Sequence, residues 1–119
     1  MNTIERIELA KAYVALSNAH RLDLILPMFA DRATYLSPHV GEFKGRTAIG
    51  EMMAGFFARF PDVHWKVPEY TCTGNGAVSF EFQMAGTETS TGTRIERGGA
   101  ERIEFTDGGY ILRLDVSNR

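Results

Sequence analysis

Residues 32–50 read RATYLSPHVGEFKGRTAIG, and the change of period inside this stretch decides the fold. From Ala33 to Ser37 the residues alternate and favour extended backbone. Pro38 ends that run, because the residue before a proline is pushed out of the helical region. A turn or loop through Gly41 and Gly45 follows, and from Arg46 the apolar spacing becomes helical. In RTAIGEMMAGFFARF the apolar positions Ile49, Met52, Met53, Phe56, Phe57 and Phe60 outnumber one stripe, so more than one side of this helix must be covered.

Upstream, Ile4, Ile7, Ala10, Lys11, Tyr13, Val14 and Leu16 form a broad stripe near period 3.6 and predict a helix over residues 3–19, capped by Asn2 or Thr3. LDLILPMFA, residues 22–30, repeats the pattern as a second helix that Pro27 makes short or kinked. Downstream of PD at residues 61–62, strands are predicted over 63–72, 76–87, 93–106 and 109–117, with TGNG and TDGG as hairpin turns. Helices that precede consecutive hairpins imply an α+β domain with helices on one face of a curved antiparallel sheet. The whole chain, residues 1–119, reads as one domain.

Composition narrows the function classes. Hydrophobic residues are 44% and charged residues 24% of the chain, which is the balance of a globular protein. A formal net charge of −2 with scattered Lys and Arg lacks the basic patch of a nucleic-acid binder. Cys72 is the single cysteine, which excludes an intramolecular disulfide and a multi-cysteine zinc site. Glu5 and Glu8 interrupt the apolar periodicity of the N-terminus, so neither a signal peptide nor a membrane span is expected there, and the expected location is cytoplasmic. His20 and His64 have no second ligand at metal spacing, so no metal site is expected. There is no phosphate-binding glycine loop and no GxSxG elbow.

YVALSNAHRLDLILPMFADRATYLSP, GEFKGRTAIGEMMAGFFARFPD and FTDGGYI together resemble the SnoaL-like branch of the NTF2-like superfamily, over almost the whole chain. That resemblance implies a cone-shaped α+β barrel, a strongly bent sheet wrapped around the N-terminal helices, and an interior pocket open at one end. It also implies a homodimer packed through the outer sheet face. Ketosteroid isomerases, polyketide cyclases, epoxide hydrolases and dehydratases share the fold, so pocket residues must decide function.

On the strand GAERIEFTD, Glu101, Ile103 and Phe105 share one face, and the apolar pair marks it as the inner one. Glu101 is then an acid in an apolar interior, where desolvation keeps the proton on. Tyr13 points inward from the first helix. In the ketosteroid isomerases that this sequence resembles, a helix tyrosine and a protonated strand acid donate hydrogen bonds to a developing oxyanion, and Tyr13 and Glu101 occupy similar places. The aspartate that moves the proton in those isomerases precedes the proline of the strand end, where this chain has Ser37. His39 is the candidate replacement base, and its direction is open between the interior and solvent. A second alternative also stays open: Glu101 pairs with Arg97, four residues earlier on the same face.

The expected ligand is a small apolar or aromatic carbonyl compound, held without any cofactor. Ser37, Phe57, Phe60, Trp65, Phe80 and Phe82 are the expected lining. Ile103, Phe105, Leu112 and Leu114 complete it if Tyr110, Leu112, Leu114 and Val116 form the inner face of the last strand. A bulge that reversed this parity would instead turn Asp115 inward as a base. Two functions follow: a cofactor-free isomerase, cyclase or dehydratase, and a non-catalytic ligand-binding or dimerisation module.

Overall fold

The computed structural model describes residues 1–118. Helix α1 spans Thr3–Asn18, and Asn2 caps it in a capping box: its side chain accepts from the Glu5 N–H while the Glu5 carboxylate accepts from the Asn2 N–H. The helix ends on His20, which holds φ at 56°. His20 N–H donates to Ser17 O, and Arg21 N–H to Leu16 O, so a left-handed residue closes the helix where glycine is usual. The His20 ring is held by the carbonyl of Val63 at 3.0 Å and by stacking on Phe57 at 4.5 Å.

Helix α2, Leu22–Ile25, passes into a 3-10 turn at Leu26–Met28 that places Pro27 in its first turn, where a missing N–H costs nothing. The second helix therefore stops earlier than expected. Phe29 and Ala30 belong to strand β1, Phe29–Ser37, and Phe29 is fully buried.

The stretch after Ser37 is a hairpin rather than a loop. Strand β2, Gly41–Lys44, pairs antiparallel with β1 through Ser37↔Gly41, Leu36↔Glu42, Tyr35↔Phe43 and Thr34↔Lys44. Three residues, 38–40, make the turn, and Gly41 closes it with φ at 108°. Helix α3 is Arg46–Arg59.

The expected strand over 63–72 is divided into β3, His64–Lys66, and β4, Thr71–Cys72. Pro68 lies between them and cannot donate to a ladder, so each piece pairs separately with β5, Val78–Thr87. Strands β6, Arg94–Phe105, and β7, Ile111–Ser117, complete a seven-stranded sheet in the order β2-β1-β7-β6-β5-β3, with β4 on β5. All pairs are antiparallel except β1 with β7, and the sheet curves without closing. Helix α1 packs on β3, β4 and β5, and α3 packs on β1 and β2. No helix among the described residues is long and apolar enough to cross a membrane.

Two local features position the cavity described below. Asn18, the last residue of α1, donates from Nδ2 to Trp65 O at 2.9 Å and accepts the Trp65 N–H on Oδ1 at 2.8 Å, so one side chain ties the helix end to β3. The register of β6 with β7 jumps from Glu104↔Arg113 to Phe105↔Ile111, which leaves Leu112 as an extra residue on β7. Ile111 and Leu114 are fully buried, while Leu112 is 43% exposed. The expected inward position of Leu112 is therefore corrected by the bulge. Because the bulge falls before Leu114, Asp115 still faces outward and pairs with Arg113 at 3.0 Å.

Candidate functional site

Alternation on β5 and β6 builds the inner surface. Val78↔Ile103, Phe80↔Glu101, Phe82↔Gly99 and Met84↔Arg97 are register partners at positions that share the inner face. A cavity of about 60 Å³ opens between this face and the helices. That volume admits about four to six water molecules, so it suits a ligand with few heavy atoms.

Each element supplies a small set of groups to this cavity. Helix α1 contributes Tyr13, Val14 and Ser17, and β1 contributes Tyr35 and Ser37. The hairpin turn adds His39 and Val40, and α3 adds Met52, Met53, Phe56 and Phe57. Trp65 of β3, Phe82 and Met84 of β5, Arg97 and Glu101 of β6 and Val116 of β7 close the remaining sides. Phe56 stacks on Trp65 at 5.9 Å and Phe57 meets the same ring edge-on at 6.4 Å, so one wall is aromatic.

Tyr13 and Glu101 are both buried, at 5% and 8% exposure, and both line this cavity. No hydrogen bond joins them. Burial pushes the Glu101 carboxyl up to about 8, so near neutrality it holds its proton. Among the described residues Glu101 makes no ion pair and no hydrogen bond, and no side-chain oxygen or nitrogen is both shut off from space and unpartnered. Its carboxyl is therefore not sealed into the core, and Glu101 is among the residues that line the cavity. The open alternative of a Glu101–Arg97 pair is not what the structure contains.

Burial likewise raises the phenols of Tyr13 and Tyr35, and the nearby Glu101 raises both further. Tyr13 packs edge-on against Phe29 at 5.9 Å, which fixes its ring. Tyr35 was absent from the residues singled out in the sequence, although it shares the inward parity of Ala33 and Ser37 in ATYLS. Arg97 is half-buried, and desolvation with the nearby Arg59 guanidinium pulls its ordinary value down.

Ser37 and His39 form a turn. The Ser37 hydroxyl accepts the His39 N–H at 3.1 Å, and the His39 side chain is exposed at the hairpin tip while still bordering the cavity. Of the expected lining, Ser37, Phe57, Trp65 and Phe82 border the cavity. Phe60, Phe80, Ile103 and Leu114 do not, because they are packed into the solid core, and half-buried Phe105 packs against it. Phe80 covers Tyr70, at 5.0 Å between rings. Leu112 lies outside altogether. No group of three or more His, Cys, Asp or Glu side chains that could hold a metal ion occurs among the described residues.

Comparison with known proteins follows this geometry. The family model described as a SnoaL-like domain matches residues 10–113. No curated protein matches the chain. Among solved structures, the epoxide hydrolase/cyclase-like enzyme SalBIII, tied to pyran ring formation in the polyether salinomycin, superposes with a TM-score of 0.85. It is 21% identical over 94% of this chain and 88% of its own. A protein with a ketosteroid isomerase-like fold from Catenulispora acidiphila, in complex with trimethylamine, gives 0.81 at 22% identity over 92% of this chain and 83% of that one. RV0760c from Mycobacterium tuberculosis, in complex with estradiol-17beta-hemisuccinate, gives 0.83 at 13% identity over 94% and 92%. At these identities the likeness is one of fold. The chain belongs to the SnoaL-like domain family.

Proposed function

We propose that the cavity binds a small, mostly apolar compound through a carbonyl or epoxide oxygen and moves a proton on it without a cofactor. The observation that carries this is the buried, unpaired Glu101 carboxyl facing open space beside two phenols. A neutral acid and neutral phenols in a dry site are donors suited to an oxygen that gains negative charge. Tyr13, Tyr35 and Glu101 are the donors in this reading, and His39, at the mouth, is the base that takes the proton from carbon. The aromatic wall of Phe56, Phe57 and Trp65 receives the apolar body of the ligand.

One observation favours a second reading. Ser37 stands where related isomerases use an aspartate, and the exposed His39 ring has no partner to orient it among the described residues. A module that binds the same ligand without turnover fits those two facts. In either case we expect a homodimer through the outer sheet face, where Ser79, Glu81, Ala100, Arg102, Asp115 and Ser117 border a shallow groove. Sedimentation tests that assembly.

Exchange of α-protons of small ketones in deuterated water, followed by NMR together with a panel of enones and epoxides, tests the enzyme. Glu101→Gln is expected to lower the rate by about 10²-fold while the fold persists. Absence of turnover on the whole panel, with ligand binding retained, selects the binding module.

A further inference from the structure

We propose that the ligand of this cavity carries a carboxylate, held by Arg97, in addition to the oxygen held at Glu101. The inference rests on the proposed function above and names the class of compound: a small oxo- or hydroxycarboxylic acid.

Among the described residues Arg97 is the only lysine or arginine in the cavity wall. It is half-buried and forms no ion pair or hydrogen bond among the described residues. Other arginines of the same region are neutralised: Arg59 by Glu88 at 2.7 Å, Arg94 by Asp62 at 3.4 Å and Arg102 by Glu104 at 3.3 Å. A guanidinium that has lost part of its water without gaining a carboxylate is a fork left open, and a planar carboxylate fits that fork with two parallel hydrogen bonds. Glu101 does not answer this charge, although it lies on the same strand face.

The spacing sets the shape of the ligand. Positions 97 and 101 lie about 13 Å apart along β6 at about 3.3 Å per residue. Between them stands Gly99, and the Phe82 ring leans into the space that a side chain there would fill. Both side chains reach inward over this ring, so a short apolar chain lying on Phe82 presents one end to the guanidinium and the other to the carboxyl. The small cavity volume limits that chain to a few carbons.

Trp65 is the single tryptophan and borders the cavity, so its fluorescence reports occupancy directly. The probes are levulinate, its methyl ester and 2-pentanone, at pH 7 and low salt. Levulinate is expected to bind about tenfold or more tightly than methyl levulinate. Arg97→Met should erase that preference by weakening levulinate far more than the ester, while Arg97→Lys should keep part of it. Equal binding of acid and ester, no response to levulinate, or a preference that survives Arg97→Met overturns the proposal. If Arg97→Met does not fold, a preference undiminished in Arg97→Lys overturns it, since a lysine lacks the fork. Glu101→Leu, which cannot donate as a glutamine amide still does, separates the two readings. An acid preference that persists while 2-pentanone affinity also stays unchanged keeps the carboxylate site and removes Glu101 as the oxygen donor. Glu101-dependent binding of 2-pentanone without any acid preference does the reverse.

Discussion

Glu101 and Arg97 face one cavity from the same side of β6 and form no ion pair, so a protonated acid and a bare cation coexist four residues apart. The acid stays neutral because its surroundings are dry, and the guanidinium stays charged because no environment of this depth deprotonates it.

That neutrality has a cost at alkaline pH. The Glu101 carboxyl moves from an ordinary value of 4.5 to about 8 in the folded chain. Between those values the native state holds a proton that the unfolded state has lost, so this group lowers stability as pH rises. The slope reaches about 1.4 kcal/mol per pH unit inside the window and vanishes outside it. Glu101→Gln removes the titration. Urea denaturation at a series of pH values should show the variant gaining on the wild type from pH 4.5 towards 8. A stability difference between the two that does not change from pH 4.5 to 8 would mean that the carboxyl is not desolvated.

Gly99 is required by contact rather than by backbone angle. A Cβ there would lie 2.5 Å from Phe82 Cζ and 3.0 Å from the Ser117 carbonyl oxygen. Gly99→Ala should destabilise by about 1–3 kcal/mol, as overpacking does. Phe82→Leu in the same chain should recover part of the loss and not all, because the Ser117 carbonyl is backbone. A double-mutant cycle measures this, and strict additivity of the two substitutions would show that position 99 and the Phe82 ring do not meet as described.

Ser37→Asp restores a carboxylate before Pro38. An aspartate can accept the His39 N–H as the serine hydroxyl does, so the turn should persist. The expected outcome is a gain of about 10²-fold in conversion of 3-cyclohexenone to its conjugated isomer, read by ultraviolet absorbance. Addition of Glu101→Gln should cancel the gain. No gain in a protein that melts normally would place Ser37 out of reach of the ligand.

Asn18→Ala leaves the N–H and carbonyl of Trp65 without their partners. A loss of about 2 kcal/mol is expected, reduced where water replaces the amide. Thermal melting gives the loss, and a change in Trp65 emission in the folded variant would show that the cavity wall has shifted.

Much of this was legible in the sequence. The end of the first strand at Ser37, the helix over 46–60, the two glycine turns and the inward parity of Glu101 all follow from local rules, and they place Tyr13 and Glu101 on one interior. What escaped was set by pairing. Phe29 and Ala30 sit in an apolar run that suits a helix, and only the sheet, where Phe29 lies opposite Ile111, makes them strand. The residues GEFK become a strand because β1 is adjacent, which no window of four residues reveals. The bulge at Leu112 depends on which residue of β7 meets Phe105. The division of the lining between cavity and core was equally hidden: Phe82 and Phe80 have the same parity, and only packing of Tyr70 over Phe80 separates them.

The Asn18 clamp also bears on how the chain meets its own copies in a crowded solution. β3 is the terminal strand of the sheet, and a terminal strand with free backbone groups is a template onto which a foreign strand adds. The Asn18 amide takes the outward N–H and carbonyl of Trp65, and His20 engages the carbonyl of Val63 just before the strand. One helix end thus occupies the seat where edge-to-edge aggregation at this border would begin.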